Sequence, residues 1–355
     1  MRVIIVGGGI IGAALAYQLD KDGAEVLIIE GRALGSGATA ASFGWINASF
    51  YLNAHHFRLR QAGIEAWHQF GFGDHLTWQG SLCWDVAEPS LEAQKAAFDA
   101  IGYRADLVDQ KQIQFLEPHI NAPNQALRFQ TEGVANPSRI IEALLEKTRN
   151  VKVLQGVSVE SLLHDDGRIN GVETKTGQIH ANRVVLASGT GVARCLNTIG
   201  IEFPMLTRPG LMLRTRPVPP LLTHVIASAN QEVRQDSDGH LWAPMAANHQ
   251  ADTSDVVCAD VTGLAQDALD RLQGLLPDVS LQWDRVLQAD RPMPQDSLPA
   301  IGTIGPEGLF VAVMHSGITL AAISAQLLAP KVLGHSMSNE ALDLLAPYDP
   351  MRFSA

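Results

Sequence analysis

The sequence predicts an α/β fold in which a parallel, Rossmann-like sheet is interrupted by insertions that form a second, sheet-containing part. An apolar run at residues 3–6 enters a glycine turn, continues through a helical stretch and leads to a second apolar run at 26–30. A further apolar run at 183–187 ends in another glycine turn. Residues 76–130 are rich in turn-forming residues, and the prolines of 196–285 favour loops and strand edges over long helices.

The first glycine turn has the spacing of a dinucleotide-binding fingerprint. Gly7 suits the tight turn, Gly9 lets the backbone approach a pyrophosphate, and Gly12 lets the helix pack on the sheet. The pyrophosphate would lie at the helix N-terminus. Glu30, 18 residues past Gly12, can accept hydrogen bonds from both ribose hydroxyls and would repel a 2′-phosphate. No Lys-Ser or Lys-Thr follows the glycines, so a P-loop is excluded.

A loop of small residues and two helices are predicted next. Residues 35–44 are nearly all small, so the backbone there could pass close to a ligand. From residue 55 to 70 the apolar residues repeat at helical spacing. Asn136 before Pro137 is typical of a helix start, and the apolar face that follows predicts a helix there.

The later segments read as strands. Residues 151–159 form one strand-like run, and a hairpin is predicted from 169–174 and 178–180 around a Thr-Gly turn. Within the proline-containing block, strands are predicted at 211–214 and 256–260. We find no internal repeat and no low-complexity tract.

The composition is that of an ordinary globular protein. The chain has 355 residues, 46% of them apolar and 18% charged, which is too long for one simple core. Its formal net charge of −11, with no basic block, argues against nucleic acid or an anionic membrane as a partner.

The cysteines and the two long apolar segments indicate the cellular compartment in which the protein is expected. Cys83, Cys195 and Cys258 lie far apart without C-x-x-C spacing, so we expect buried free thiols rather than a metal site or a disulfide framework. Glycines interrupt the apolar stretch 3–19, and polar residues interrupt 308–330, so neither is expected to be a signal peptide or a membrane span. We therefore expect a cytoplasmic protein.

Several separated motifs point in one direction. They are the glycine fingerprint with Glu30, the small-residue loop 35–44, Gly-Val-Ala-Asn-Pro at 133–137, Val-Leu-Ala-Ser-Gly at 185–189, an Arg-Pro, Asp, Pro, Ile-Gly pattern at 291–302, and His-Ser-Gly-Ile-Thr-Leu-Ala at 315–321. Together they span nearly the whole chain. They resemble the D-amino-acid oxidase superfamily of FAD enzymes, nearest to its glycine oxidase and sarcosine oxidase branch.

This resemblance implies FAD as the cofactor rather than NAD. It implies a Rossmann-like FAD-binding domain of the GR2 type, and a second α+β domain built on an antiparallel sheet that covers the flavin. We expect the FAD-binding domain to be discontinuous, from residues 1–75, 131–195 and 286–355. We expect residues 76–130 and 196–285 to form the substrate-binding domain.

The resemblance also assigns cofactor-binding residues by position. They are Gly7, Gly9, Ile10, Gly12, Glu30, Gly31, Arg32, Ala40, Ala41, Ser42, Val159, Ser188, Gly189, Gly317, Ile318, Thr319 and Leu320. The last four would hold the pyrimidine edge of the isoalloxazine. The FAD is expected to be noncovalent, because no cysteine lies near Arg291 and no histidine lies in residues 38–44.

The implied reaction is oxidation of a C–N bond to an imine by hydride transfer to flavin N5. Arg291 is the candidate to grip the substrate carboxylate, the alternative being a structural ion pair. His315 is a candidate for contact with substrate or flavin, the alternative being hydrogen bonds to backbone carbonyls in a turn. Asn47 is a further candidate for contact with substrate or flavin, and Trp45 for the cavity wall or the core. We expect no role for His249, which has no recognisable partner. No metal site is expected.

The substrate and the electron acceptor stay open at this point. Small D-amino acids, N-alkyl glycines and cyclic imino acids are the preferred substrates, and oxygen, a quinone or a partner protein could accept the electrons. An alternative is a flavoprotein subunit of a multi-subunit amine dehydrogenase that needs a partner for turnover. A third reading is an NAD-dependent dehydrogenase. The chain could form homo-oligomers or hetero-oligomers.

Overall fold

A computed structural model describes residues 1–84, 90–247, 249 and 252–353. In chain order, the strands are β1 (Arg2–Val6), β2 (Glu25–Glu30), β3 (Trp45–Ile46), β4 (Leu76–Thr77), β5 (Ser81–Trp84), β6 (Asp106–Asp109), β7 (Gln125–Phe129), β8 (Gly133–Ala135), β9 (Val151–Gln155), β10 (Val159–Asp165), β11 (Arg168–Thr174), β12 (Gly177–His180), β13 (Arg183–Leu186), β14 (Met205–Leu206), β15 (Pro209–Thr215), β16 (Val225–Ser228), β17 (Glu232–Gln235), β18 (Leu241–Pro244), β19 (Trp283–Asp290), β20 (Met293–Pro294), β21 (Ala300–Thr303) and β22 (Leu309–Val313). The α-helices are α1 (Ile10–Lys21), α2 (Ala54–Phe70), α3 (Leu91–Ala100), α4 (Gln110–Leu116), α5 (Pro137–Glu146), α6 (Val192–Asn197), α7 (Val261–Leu275), α8 (Gly317–Leu333) and α9 (Asn339–Leu345).

A six-stranded sheet forms the centre of the first part, in the order β21-β22-β13-β1-β2-β9. All its neighbours pair in parallel except β21 with β22. Successive residues of a strand point to opposite faces. Val3 and Ile5 accordingly pack in one core with α1 and α8, whereas Ile4 and Val6 pack in another with the three-stranded sheet β10-β11-β12. The predicted Rossmann-like sheet is confirmed.

The turn between β1 and α1 shows why glycine is needed there. Gly7 has a φ of +114°, a conformation that L side chains rarely adopt. A Cβ on Gly12 would lie 2.0 Å from the main-chain oxygen of Gly7. The close contact between α1 and the start of the turn therefore depends on the absence of a side chain at Gly12.

The second part is an eight-stranded sheet in the order β19-β15-β18-β17-β16-β5-β7-β6. Its neighbours pair antiparallel apart from β16 with β5, which are parallel. Helix α7 packs against this sheet through Ala265, Ala268 and Leu272. The predicted second, sheet-based part is confirmed. Strand β19 runs across the expected boundary at 285/286, and the domain boundaries stay a prediction.

Most predicted elements appear where the sequence placed them. The helix expected from residue 55 to 70 is α2, which is capped by Asn53. The helix expected after Asn136 is α5, and the Asn136 side chain accepts a hydrogen bond from the backbone N–H of Arg139. The hairpin is β11 and β12. Strand β15 contains the predicted run 211–214.

The single strand expected at 151–159 is wrong. It is two strands, because Gly156 adopts a left-handed conformation with a φ of +72°. Around this break Val157 donates its backbone N–H to the carbonyl of Glu30. Strand β9 thus pairs with β2 in the parallel sheet, whereas Val159 begins β10 in a different sheet.

The strand expected at 256–260 is also wrong. This segment forms no strand, and Val256 is 73% exposed. Asp260 instead caps α7 by accepting a hydrogen bond from the backbone N–H of Gly263. All three cysteines are free thiols, and Cys258 is exposed rather than buried. Within the described ranges, no helix combines the length and apolar character needed to cross a membrane.

Candidate functional site

A cavity of about 540 Å³ lies between the two large sheets. One wall comes from the carboxyl ends of parallel strands, including Val6, Glu30 and Val313. The facing wall comes from β15 and β19, including Met212 and Ala289. Open α/β sheets bind ligands outside the carboxyl ends of their strands, so the cavity lies where the fold favours a binding site.

The β1 end of the cavity is built from main chain and one carboxylate. The Glu30 carboxylate accepts hydrogen bonds from the backbone N–H of Gly8 and of Arg32, each at 2.8 Å. Gly9 lines the cavity, and a Cβ there would meet only Thr39 Oγ1, at 3.2 Å. The space in front of Gly9 is therefore open. With the N-terminus of α1 beside it, this wall fits the pyrophosphate and ribose of a dinucleotide such as FAD.

The structure brings most of the predicted cofactor residues together. Those that line the cavity are Gly7, Gly9, Ile10, Glu30, Gly31, Arg32, Ala41, Ser42, Val159, Ser188, Gly189, Gly317, Ile318 and Thr319. Gly12, Ala40 and Leu320 do not line it. Gly12 packs against the main chain of the turn, and Leu320 is buried in α8. Ala40 donates its backbone N–H to the carbonyl of Gly37 within a turn.

Helix α8 begins at the cavity wall. Ser316, the residue before it, has a φ of +56°. Thr319 Oγ1 donates to the carbonyl of Trp45 at 3.2 Å and accepts from the backbone N–H of Asn47 at 3.3 Å. These bonds tie α8 to β3. The N-terminus of a 17-residue helix, with its positive dipole end, is thus held against the cavity.

Arg60 was missed by the sequence analysis. It lies on α2, is 3% exposed and lines the cavity. Its Nε donates to the Asn47 carbonyl at 3.0 Å, its Nη1 to Ser316 Oγ at 2.7 Å, and its Nη2 to Asn47 Oδ1. Burial lowers the pKa of Arg60 to about 10, so the guanidinium stays charged at neutral pH. The available signal was a charged residue on the apolar face of the predicted helix, three residues after Phe57.

Arg291 lies directly after β19 and forms an ion pair with Asp252 through Nη2. The same nitrogen lies 3.4 Å from the Pro209 carbonyl, and Nη1 lies 3.4 Å from the Asp252 carbonyl. Burial raises the pKa of Asp252, but hydrogen bonds from Ser254 and Arg291 outweigh it and lower the pKa. Arg291 is therefore ion-paired and also lines the cavity, and its binding of a substrate carboxylate stays a prediction.

Two histidines stand close to Arg291. Burial lowers the pKa of His315 to about 3, and the charges of His249, Arg291, Arg60 and His56 act in the same direction. Burial, followed by the charge of Arg291, lowers the pKa of His249 to about 4. His249 lines the cavity near Arg291 and His315, and the expectation that it has no role stays a prediction. Its neighbours come from distant parts of the chain, which a sequence pattern does not reveal.

His56 and Trp45 have structural surroundings. His56 Nδ1 accepts a hydrogen bond from the backbone N–H of Leu52 at 3.2 Å, which fixes the start of α2. Trp45 packs edge-on against Phe43 and Phe50 and also lines the cavity. Its Nε1–H is buried and has no hydrogen-bond partner among the described residues. Both roles considered for Trp45 thus apply at once.

No three His, Cys, Asp or Glu side chains of the described residues come together in a way that could hold a metal ion. The described part of the cavity wall also contains no lysine and no cysteine. Four arginines line it, namely Arg32, Arg60, Arg194 and Arg291, together with the carboxylates of Glu30, Glu232 and Asp290. Arg60, Arg291 and the neutral histidines His249 and His315 lie toward the start of α8. This combination suits an electron-rich or anionic ligand group.

Comparisons with known proteins agree with this geometry. The DAO family model, described as FAD dependent oxidoreductase, matches residues 2–330. Glycine oxidase of Pseudomonas aeruginosa is 25% identical over 380 residues, with 98% of each chain covered. The hydrogen cyanide synthase subunit HcnC of Pseudomonas protegens is 27% identical over 410 residues, covering 99% of this chain and 96% of that one. The crystal structure of glycine oxidase from Geobacillus kaustophilus matches with a TM-score of 0.85 and 24% identity, covering 99% of both chains.

Proposed function

Because this chain belongs to the DAO family of FAD-dependent oxidoreductases, in its glycine oxidase-like branch, we propose that it oxidises the C–N bond of a small amino acid or secondary amine. The product is an imine, which water hydrolyses to a carbonyl compound. D-amino acids, N-alkyl glycines and cyclic imino acids are the proposed substrates. The observation that carries the proposal is one cavity that joins a dinucleotide-shaped wall to an end containing Arg291.

The residues present fit FAD. The open backbone at Gly9, the α1 N-terminus and the Glu30 carboxylate would hold the adenosine and pyrophosphate, and the start of α8 would hold the pyrimidine edge of the flavin. When bound, FAD accepts the two electrons and the hydrogen that leave the substrate. We propose noncovalent FAD, since the described cavity wall offers no cysteine and residues 38–44 contain no histidine.

Arg291 is proposed to bind the substrate carboxylate. Its guanidinium carries five N–H donors, and the side chain of Asp252 engages one nitrogen. A substrate carboxylate would replace Asp252 and could take two parallel hydrogen bonds. Gripping the carboxylate fixes the Cα–H direction, which is the positioning that the reaction requires. Asn47 can donate its side-chain N–H groups, since its Oδ1 already accepts from Arg60.

The arginines that line the cavity affect the protonation state of a bound substrate. The reactive form of an amine is the neutral one, whereas a free amino acid is an ammonium ion at neutral pH. Arg291 is neutralised by Asp252 or by the substrate carboxylate, whereas Arg60 has only neutral hydrogen-bond acceptors. Arg60 therefore disfavours a further positive charge nearby and would lower the pKa of a bound ammonium group. His315 and His249, with pKa values of about 3 and 4, are too weakly basic to take this proton at neutral pH. The Arg60 side of the cavity would therefore favour binding of the neutral amine, and neither histidine would deprotonate the ammonium form there.

The test is an anaerobic titration of the purified protein with D-, L- and N-methyl amino acids, in which flavin absorbance is followed. Bleaching by one class identifies the substrate, and bleaching by no amine overturns the proposal. R291M should raise the dissociation constant for carboxylate ligands while FAD stays bound. R285M is the matched control, because Arg285 lies on β19 and is exposed. An unchanged constant in R291M would remove the carboxylate role from Arg291.

A second candidate is a flavoprotein subunit that passes electrons to a partner. The similarity to HcnC, which is named as a subunit, over 99% of this chain favours it. Admitting oxygen after anaerobic bleaching separates the two. Rapid return of the flavin band supports an oxidase, whereas slow return with rapid return on adding a quinone or dye supports a dehydrogenase that needs another acceptor.

A further inference from the structure

Arg60 is a buried cation whose neighbours leave its charge largely uncompensated. It is 3% exposed, and no carboxylate of the described residues lies within ion-pair distance of it. Its hydrogen-bond acceptors are the carbonyl and the side-chain oxygen of Asn47 and the hydroxyl of Ser316, all neutral. Burying a guanidinium without a counterion is costly, which calls for an anionic or electron-rich partner.

The buried acid whose charge acts on Arg60 does not supply that partner. Glu132 is fully buried, and its charge favours the charged form of Arg60. However, its carboxylate is occupied by the hydroxyls of Ser81 and Tyr103, at 2.6 and 2.9 Å, and by two backbone N–H groups. Burial raises the pKa of Glu132, so its negative charge is itself disfavoured. The local charge at Arg60 is therefore net positive.

Arg60 has hydrogen-bond donors left over and also lies in the cavity wall. A guanidinium has five N–H donors, and the three bonds to Asn47 and Ser316 leave two. Arg60 lines the cavity, so a ligand can reach these donors. Its bond to Ser316 also places it beside the N-terminus of α8. The positive charge of Arg60 and the positive end of the α8 dipole therefore act on the same part of the cavity wall.

We propose that Arg60 stabilises the negative charge that reduction places on the pyrimidine half of the flavin, and thereby raises the reduction potential of the bound FAD. The proposal rests on the proposed position of the isoalloxazine against residues 317–320. Two-electron reduction adds one hydrogen at N5 and leaves a negative charge near N1 when N1 is not protonated. A fixed cation near that edge is a means by which a protein tunes a flavin.

The test compares R60Q, R60M and R60K with R58Q, all loaded with FAD. Arg58 is exposed on the same helix and serves as the matched control. The readouts are the two-electron reduction potential, measured against a reference dye, and the dissociation constant of sulfite. Sulfite donates its electron pair to flavin N5 and leaves the same negative charge on the ring. Neither readout needs an amine substrate, so failure of the proposed amine oxidation would show separately, in the wild-type protein.

The neutral variants should weaken sulfite binding at least tenfold and lower the potential by about 30 mV or more, the equivalent of tenfold for a two-electron couple. R60K should have a reduction potential and a sulfite dissociation constant between those of the neutral variants and those of the wild type. R58Q should match the wild type in both quantities. Loss of FAD from both neutral variants but not from R60K would also support a charged contact. The proposal is overturned by unchanged potentials in flavin-loaded R60Q and R60M, by a rise only in substrate KM, or by loss of FAD from all three variants.

Discussion

Replacing Asp252 with Asn should tighten the binding of carboxylate substrates. In the structure Asp252 holds Arg291 through one guanidinium nitrogen, and the two side chains are 16% and 13% exposed. If a substrate carboxylate takes the same place, it must first displace Asp252. Removing the negative charge of Asp252 removes this competition.

The magnitude follows from the burial of the pair. Exposed ion pairs contribute roughly 0.2–1 kcal/mol, and breaking a fully buried pair costs about 3–5 kcal/mol. The Asp252–Arg291 pair is largely buried but is made through one guanidinium nitrogen, so we place it between these two ranges, at ~1.4 kcal/mol, which corresponds to tenfold in affinity. We therefore expect the dissociation constant of a carboxylate ligand to fall about tenfold in D252N.

The assay is anaerobic titration of flavin absorbance in D252N, with D255N as a control, because Asp255 is exposed in the same segment. Amines without a carboxylate should bind equally to D252N and the wild type. The effect should also vanish when D252N is combined with R291M. An unchanged or weaker affinity for carboxylates in D252N would refute the displacement, even if R291M itself binds poorly.

Two further predictions concern the cofactor turn and the buried histidines. G9A should fold with near-normal stability, since its Cβ meets only Thr39 Oγ1 at 3.2 Å, but its affinity for FAD should fall at least tenfold. G12A should have a lower melting temperature, because its Cβ would lie 2.0 Å from a main-chain oxygen. FAD titration and thermal unfolding of both variants test this, and equal behaviour of the two would contradict it. The pKa values of His56 and His315, lowered from 6.5 to about 3, make the unfolded chain bind more protons below pH 6.5. Stability should therefore fall as the pH drops from 6.5 towards 3, by at most ~1.4 kcal/mol per pH unit for each histidine. Urea unfolding at pH 7.5, 6.5 and 5.5 measures this, and H56N should reduce the slope.

The cofactor half of the site could be predicted from the sequence because its signals are local. Gly7, Gly9 and Glu30 lie in one strand-turn-helix-strand unit, and backbone geometry alone dictates where glycine is needed. The same holds for α5, whose cap and first helical residues are neighbours in the chain. Local hydrogen bonds of this kind do not depend on the rest of the fold.

The substrate half could be predicted only in part, because tertiary contacts assemble it. Arg60 meets Ser316 across 256 positions of the sequence, and His249 reaches His315 from a segment with no motif. Asp252 gains its role only through Arg291. The break at Gly156 was missed for a related reason, since each half of that run pairs with a different sheet.

The order of strands in the parallel sheet has a consequence for synthesis on the ribosome. Strand β1 pairs with β13, so Val3 lies beside Arg183, and β13 in turn pairs with β22, so Val184 lies beside Leu309. Helix α1 is covered by α8, the last long helix of the described chain. Strand β1 and helix α1 leave the ribosome well before residues 317–333 have been made, and their apolar surface stays uncovered until then. Long-range parallel pairing of this kind is slow to form and exposes the nascent chain to aggregation, so chaperones that shield apolar segments would act mainly on the N-terminal unit.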